Sequence, residues 1–155
     1  KKAVLDADLI ALASDELATV PELWALEHLQ VMCGTAGLPT ASVRLRDPDG
    51  KIRSQAAIGT GPVDATYKAI NAIVQLPVEL LEFGISAVTE GVDALAEATV
   101  RVRHEEQRSS HGHGADTDIV VAAAKAYIAS LNHVLSRQST GRVQHPQSLP
   151  TEISP

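Results

Sequence analysis

Cysteine and basic residues are both scarce in this sequence. Cys33 is the single cysteine, so no disulfide bond forms within the chain. This fits a reducing compartment, and we expect Cys33 to be a small buried apolar side chain. The 13 Lys and Arg residues stand against 19 Asp and Glu residues, which gives a formal net charge of -6. Because no basic cluster occurs, neither nucleic acid nor an anionic membrane surface is an expected partner.

Long apolar runs are absent as well. No run of about 18 uninterrupted apolar residues occurs, which argues against a membrane-spanning helix. The first residues, KKAVLDADL, lack the apolar core of a signal peptide. We therefore expect a soluble, cytoplasmic protein. The chain begins at Lys1 and opens directly into a helical pattern, as expected of a piece of a longer protein.

The first half of the chain contains a helical pattern, three β patterns and a second helical pattern. Residues 6–18, DADLIALASDELA, predict an amphipathic helix. Alternation of apolar and polar residues, interrupted by the turn signals GLP and DPDG, predicts three antiparallel strands. These strands span residues 24–34, 40–46 and 51–59. After GTGP, apolar residues recur at the spacing of one helical face, at Val63, Tyr67, Ile70 and Val74.

The second half repeats this order. Its predicted strands span residues 78–90, 94–103 and 107–114. A helix is predicted from near Asp116, with its apolar face at Val120, Ala124, Tyr127, Leu131 and Leu135. The segments SVRLR and TVRVR match each other, and so do GTGPVDA and GHGADTD. Each half is therefore predicted to form three strands and a helix.

One such unit is too small to bury a three-stranded sheet unaided, so two units must share a core. The sequence thus predicts an α+β fold of two pseudo-symmetric βββα repeats. We place a helical linker at residues 1–20 and the domain at residues 21–137, with repeat one at 22–75 and repeat two at 77–137. Residues 138–155 are rich in Pro, Ser and Gln, which predicts a disordered tail.

A Gly-x-Gly pair precedes each predicted helix. Glycine allows a ligand to approach the main chain, and the helix that follows presents unpaired N–H groups with a partial positive charge. Pro62 suits the first helical position, where an N–H has no partner. A small carboxylate would fit such a turn. The alternative is a tight turn in which Asp64, or Asp116 and Asp118, stabilise the helix start.

Other chemistries find less support. No third glycine and no GK[ST] follow Gly61, which excludes a dinucleotide fingerprint and a P-loop. His111 and His113 share one face of a strand and could chelate zinc or manganese, but no third ligand has a fixed spacing. We interpret them as ordinary polar residues and keep a small metalloprotein as an alternative. With no G-x-S-x-G motif and no basic neighbour of Cys33, we predict no catalytic residue.

Three segments, in this order, resemble the C-terminal regulatory domain of the 2-isopropylmalate synthases: AIGTGPVDATYKAI, AVTEGVDALAEATVRV and GHGADTDIVVAAAKAYIASLN. The likeness spans residues 24–134, and VLDADLIALASDE is similar to the helical linker of that family. The resemblance implies a domain that forms a homodimer and binds L-leucine between its two units. It also implies inhibition of a separate catalytic (β/α)₈ barrel, which uses a divalent metal. No cofactor is implied for the domain itself.

The resemblance also implies an effector site made of two turns. The first turn comprises Gly59, Gly61, Pro62, Val63, Asp64 and Ala65. The second comprises Gly112, Gly114, Ala115, Asp116, Asp118 and Ile119. We expect the turns to lie face to face, with helix N–H groups binding the carboxylate of leucine and aspartates or backbone carbonyls binding its ammonium group.

Two further points bear on this resemblance. The turn containing Gly91, Asp93 and Ala94 matches the family, whereas Glu82 and Phe83 stand where the family often has Asp-Tyr. The related citramalate and homocitrate synthases share such a domain and respond to other effectors. A purely structural dimerisation module is the remaining alternative.

Overall fold

The computed structural model describes residues 20–87 and 94–143. The predicted linker helix at residues 6–18, the turn residues Gly91 and Asp93, and the predicted tail beyond residue 143 lie outside the described residues.

Two successive units of three strands and one helix make up the described chain. The elements are, in order, β1 (Ala25–Met32), β2 (Thr40–Arg46), β3 (Ile52–Ile58), α1 (Pro62–Val74), β4 (Glu79–Ala87), β5 (Ala96–Arg103), β6 (Ser110–Asp116) and α2 (Ile119–Val143). The strands form two three-stranded antiparallel sheets, with orders β1-β2-β3 and β4-β5-β6. This confirms the predicted α+β fold of two βββα units.

The second helix differs from its prediction at both ends. It begins at Ile119 rather than near Asp116, because Asp116 still belongs to β6. It ends at Val143, so residues 138–143 are helical although they were assigned to a disordered tail. That assignment rested on overall composition, but the first proline after the helix is Pro146, so nothing in residues 138–143 breaks the helix.

The two units share one core. Burial alternates along the central strand of each sheet, as expected when one face of a sheet is covered. The buried positions are Ala41, Val43 and Leu45 in β2 and Ala96, Ala98, Val100 and Val102 in β5. These side chains, with those of both helices, form a single hydrophobic cluster. The predicted shared core is therefore confirmed.

Helix α2 lies at the centre of this core. The predicted stripe that includes Ala124 and Tyr127 is buried, but Ala122, Ala123 and Ala126 are fully buried as well. The reason is that α2 contacts β5 and β6 of its own unit and also α1 and β1 of the other unit. The segment Ile119–Thr140 is long and apolar enough to cross a membrane, yet 56% of its most apolar 18-residue window is buried within the fold, as in a core helix.

Gly112 and Gly114 allow α2 to lie directly on β6. They occupy alternate strand positions, so both face the helix. A Cβ atom on Gly112 would overlap the carbonyl oxygen of Ala126 and lie 2.5 Å from the amide nitrogen of Ser130. One on Gly114 would overlap the carbonyl oxygen of Ala122. Strand and helix therefore touch backbone to backbone.

Stacked tyrosines join the two helices. The rings of Tyr67 and Tyr127 have centroids 4.2 Å apart and an interplanar angle of 21°. The Tyr67 hydroxyl donates to the carbonyl of Ala123 at 3.3 Å, and the Tyr127 hydroxyl donates to Asn71 Oδ1 at 2.5 Å. Burial raises the pKa of Tyr127 to about 12, and it raises the pKa of Tyr67 as well. The stack therefore stabilises the neutral form of both hydroxyls.

The expectation for Cys33 was wrong. Cys33 is exposed, because it follows the last residue of β1 and lies in an exposed connection to β2. The burial of an apolar residue near the end of a predicted strand therefore cannot be predicted unless the last residue of the strand is known.

We predict that Gly112→Ala lowers the free energy of unfolding by about 1–3 kcal/mol or more, since 1–3 kcal/mol is the usual cost of overpacking a core. The added methyl group meets backbone atoms, which cannot rotate away. Urea denaturation at fixed protein concentration measures this difference. The matched control is Gly37→Ala in the exposed connection between β1 and β2, where nothing lies within 4 Å of the new Cβ atom. Equal stability of Gly112→Ala and the control would contradict the close packing.

We also predict that the two tyrosines do not ionise in the folded chain near their ordinary pKa of 10.0. Because folding raises the pKa, the stabilisation is complete below pH 10 and decreases as the pH rises above it. Tyrosinate absorbance should therefore appear together with the loss of far-UV circular dichroism. A titration with a midpoint near 10 in a chain that keeps its native circular dichroism would contradict the buried stack.

Candidate functional site

The first predicted turn is open above the start of α1. Gly61 precedes the first helical residue and has extended backbone, with φ -161° and ψ 178°. A Cβ atom on Gly61 would have no atom within 4 Å. Gly59 differs, because a Cβ atom there would lie 2.6 Å from Asp64 Oδ2 and even closer to the Ala65 amide. Gly59 therefore closes the turn, and Gly61 leaves free space at its surface.

The amides at the start of α1 have no partner inside the helix. The Ala65 amide makes the first helical hydrogen bond, to the Gly61 carbonyl at 2.9 Å. The amides of Val63 and Asp64 come before this bond, and Pro62 has no N–H. The N-cap residue is Gly61, and within the described residues no side-chain hydrogen bond caps the helix. These amides, aided by the helix dipole, suit a small carboxylate.

Asp64 contributes a negative charge beside these amides. Its Oδ2 accepts hydrogen bonds from the Thr60 amide at 2.8 Å and from Lys68 Nζ at 3.1 Å. The Thr60 amide and then Lys68 lower the pKa of Asp64 below its ordinary value. The carboxylate is thus charged at neutral pH. It stabilises the turn, as the structural alternative predicted, and its side chain is 40% exposed.

The remaining residues of the first turn differ in access. Pro62 and Val63 are half-buried, and Val63 packs against the core. Ala65 is fully buried, so its side chain contacts the protein interior. The part of the first turn open to solvent is therefore Gly61 with the first residues of α1.

The second predicted turn is a strand. Gly112, Gly114 and Ala115 lie within β6, which continues to Asp116. The prediction of a second glycine bend was wrong in this respect. The physical reason is the close contact of α2 with β6, which requires glycine at positions that face the helix. The Gly-x-Gly pattern alone does not distinguish a bend from a strand that packs closely against a helix.

The start of α2 is occupied by carboxylates of the chain. Asp118 Oδ1 accepts hydrogen bonds from the amides of Val120 at 2.8 Å and Val121 at 3.3 Å, which is a standard N-cap. Asp116 Oδ1 accepts a hydrogen bond from the Asp118 amide at 2.9 Å, and Asp116 Oδ2 forms an ion pair with Lys125 Nζ at 3.0 Å. The Asp118 amide and then Lys125 lower the pKa of Asp116.

The two helix starts are therefore not equivalent. Ile119, the first residue of α2, is 52% exposed, but the amides behind it are already capped. An incoming carboxylate would have to displace Asp118 at α2, whereas at α1 it meets open amides. We interpret the α1 start as the better anion site of the two.

A groove of about 860 Å³ lies between the segment before β1, strand β6 and helix α2. Its lining includes Gly112, Gly114 and Ala115 but no residue of the first turn. The groove thus does not unite the two predicted halves of the site. It was missed in the sequence because it joins segments far apart in the chain: the Trp24 amide donates to Asn132 Oδ1 at 2.9 Å across 108 positions.

His111 and His113, the two histidines considered as metal ligands, alternate with Gly112 and Gly114 along β6 and line the groove. They pair with Arg101 and Thr99 of β5. Within residues 20–87 and 94–143, no group of three or more His, Cys, Asp or Glu residues could hold a metal ion. The metalloprotein alternative therefore has no ligand set in this part of the chain.

Comparison with known proteins agrees with the fold. Residues 3–135 match the family model described as the LeuA allosteric (dimerisation) domain. The chain is 50% identical over 153 residues to a 2-isopropylmalate synthase of Gloeobacter violaceus, covering 96% of this chain and 28% of that protein. It is 54% identical over 134 residues to the enzyme of the same name from a Picosynechococcus species, covering 86% and 25%.

The chain spans about a quarter of the length of these curated relatives. The family model, in contrast, covers most of the chain. The chain therefore belongs to the family of LeuA allosteric (dimerisation) domains.

Proposed function

We propose that this chain is the regulatory domain of a cytoplasmic 2-isopropylmalate synthase, that it binds L-leucine as feedback inhibitor, and that it forms a homodimer. The observation that carries the proposal is the family match over residues 3–135. The names of the relatives favour this enzyme over citramalate or homocitrate synthase. The chain corresponds to about a quarter of those relatives. In this proposal, catalysis on a (β/α)₈ barrel with a divalent metal is assigned to other parts of the enzyme.

The carboxylate of leucine binds at the start of α1 in this proposal. Three observations support this position: the open space at Gly61, the amides of Val63 and Asp64 ahead of the first helical bond, and the absence of a capping side chain. The carboxylate of Asp64 offers a partner for the ammonium group. The proposed contacts of the second turn are then secondary, because Asp118 already caps α2.

Several weak interactions must act together. A micromolar dissociation constant corresponds to about 8 kcal/mol. Burial of the isobutyl group supplies roughly 1.5–3 kcal/mol, and a carboxylate at a helix start about 0.3–2 kcal/mol. Each hydrogen bond to a charged group adds about 1.5–3 kcal/mol. Selectivity against valine is then modest, since one methylene is worth only about 1–3 kcal/mol.

A packed route leads from the α1 start toward the N-terminal end of the domain. Helix α1 contacts α2 through the stack of Tyr67 on Tyr127. Helix α2 is in turn tied to Trp24 by two hydrogen bonds of Asn132, at 2.9 and 3.0 Å. Leucine that orders α1 would change the packing along this route and so reach the segment before β1. Typical allosteric coupling is about 1–3 kcal/mol.

We predict that Gly61→Asp abolishes or weakens leucine binding at least about tenfold, a loss of 1.4 kcal/mol or more. The new carboxylate enters the space proposed for that of leucine and repels it. The backbone at Gly61 is extended and its surroundings are empty, so the variant should fold. Isothermal titration calorimetry measures the binding, and thermal denaturation with millimolar leucine measures the stabilisation.

The matched control is Gly37→Asp, which adds the same charge in the exposed connection between β1 and β2, again with nothing within 4 Å. It should bind leucine like the unmodified chain. If the unmodified chain gives no heat and an unmoved melting temperature with leucine, isoleucine and valine, the effector proposal fails. If Gly61→Asp binds leucine normally, the position at α1 is wrong.

A further inference from the structure

Strand β4 has an apolar side that α1 and α2, the two helices of the described residues, leave partly exposed. It is an edge strand, since its sheet has the order β4-β5-β6. Leu80, Phe83 and Ile85 lie opposite Val102, Val100 and Ala98 of β5, so they belong to the core-facing side of the sheet. The three residues of β5 are fully buried, but Leu80, Phe83 and Ile85 are 45%, 40% and 38% exposed. We call Leu80, Phe83 and Ile85 the β4 patch.

The corresponding strand of the first unit is covered. Leu26, Leu29 and Val31 of β1 lie opposite the buried residues of β2 and are half-buried. Helix α2 has 25 residues and reaches β1, where Asn132 bonds the Trp24 backbone. Helix α1 has 13 residues and meets β4 through the edge-on contact of Tyr67 with Phe83, at 6.1 Å between centroids. The shorter helix leaves the β4 patch uncovered.

We propose that a second copy of this chain covers the β4 patch, with the two β4 strands at the centre of a two-fold interface. This inference rests on the homodimer of the proposed function and assigns its surface. Two copies related by a two-fold axis present the same patch to each other. An exposed edge strand with apolar side chains is otherwise an aggregation hazard, and a dimer removes it. The family description names dimerisation as the activity of this domain type.

The charges on β4 fit such a pairing. Glu79 and Glu82 lie in the first half of the strand, where they pair with Arg103 at 2.6 Å and Arg101 at 2.8 Å. The second half, Gly84 to Ala87, carries no charge. In an antiparallel two-fold arrangement the first half of one β4 lies beside the second half of the other. This arrangement keeps like charges from lying opposite each other, where they would destabilise the pairing.

Gly84 lies near the middle of the strand. A Cβ atom there would have nothing within 4 Å, so the backbone is open to the approach of a partner. Its neighbour Phe83 already touches Tyr67 and thereby links the β4 patch to the helix stack. A second copy seated on the patch would contact both units of the domain.

The test is the oligomeric state of lysine variants. Ile85→Lys and Leu80→Lys each place two lysines, one from each copy, in the proposed interface. Sedimentation velocity over a range of concentrations should show a dimer for the unmodified chain and a dimer dissociation constant raised at least about 100-fold in both variants, which is 2.7 kcal/mol or more. The matched control is Ile52→Lys, on the edge strand β3 of the other sheet, where Ile52 is 52% exposed. It should remain dimeric.

Far-UV circular dichroism establishes that each variant folds. If Ile85→Lys does not fold, Leu80→Lys, at the more exposed position, decides the question. Folded patch variants that stay dimeric, or an Ile52→Lys variant that dissociates like them, would overturn the inference. Leucine titration of the unmodified chain distinguishes failure of this inference from failure of the proposed function. If the unmodified chain binds leucine and the lysine variants remain dimeric, the regulatory function stands and the dimer interface lies elsewhere.

Discussion

The direct contact between the backbones of β6 and α2 is the constraint on which the rest of the domain depends. Gly112 and Gly114 have no room for even a methyl group, because the carbonyls of Ala126 and Ala122 lie where it would be. This places α2 in the core, in contact with its own sheet and with α1 and β1 of the other unit. The small side chains along α2, most of them alanine, allow this central position. A single core for both repeats is the result.

The same constraint makes two repeats of similar sequence unequal at their helix starts. In the second unit, glycine is used for packing and aspartates cap the helix, so the start of α2 is closed. In the first unit, Gly61 borders open space and the amides of α1 have no side-chain cap. Duplication thus supplies the architecture, and a difference of a few residues leaves the amides at the start of α1 uncapped while Asp118 caps α2. The difference in helix length leaves a second asymmetry, the uncovered side of β4.

Much of the fold could be predicted from the sequence, because it rests on local patterns. Alternation predicted β2 at its observed bounds and the other strands within a few residues, and the helical period of Val63, Tyr67 and Ile70 indicated α1. The groove beside Trp24 and the exposure of Cys33 depend on contacts between distant segments, which no local pattern reports. The glycines of β6 were misinterpreted for a related reason. A bend and a close helix contact demand the same residue type, and only the packing separates them.

The central claim is that leucine binds at the open start of α1 rather than at the capped start of α2. Backbone amide chemical shifts of the ¹⁵N-labelled chain during a leucine titration test it most directly. The account predicts that the largest changes occur at the amides of Gly61, Val63 and Asp64, with smaller changes along α1. Saturable changes concentrated at Gly112, Gly114 and Asp118, with the α1 start unmoved, would contradict it.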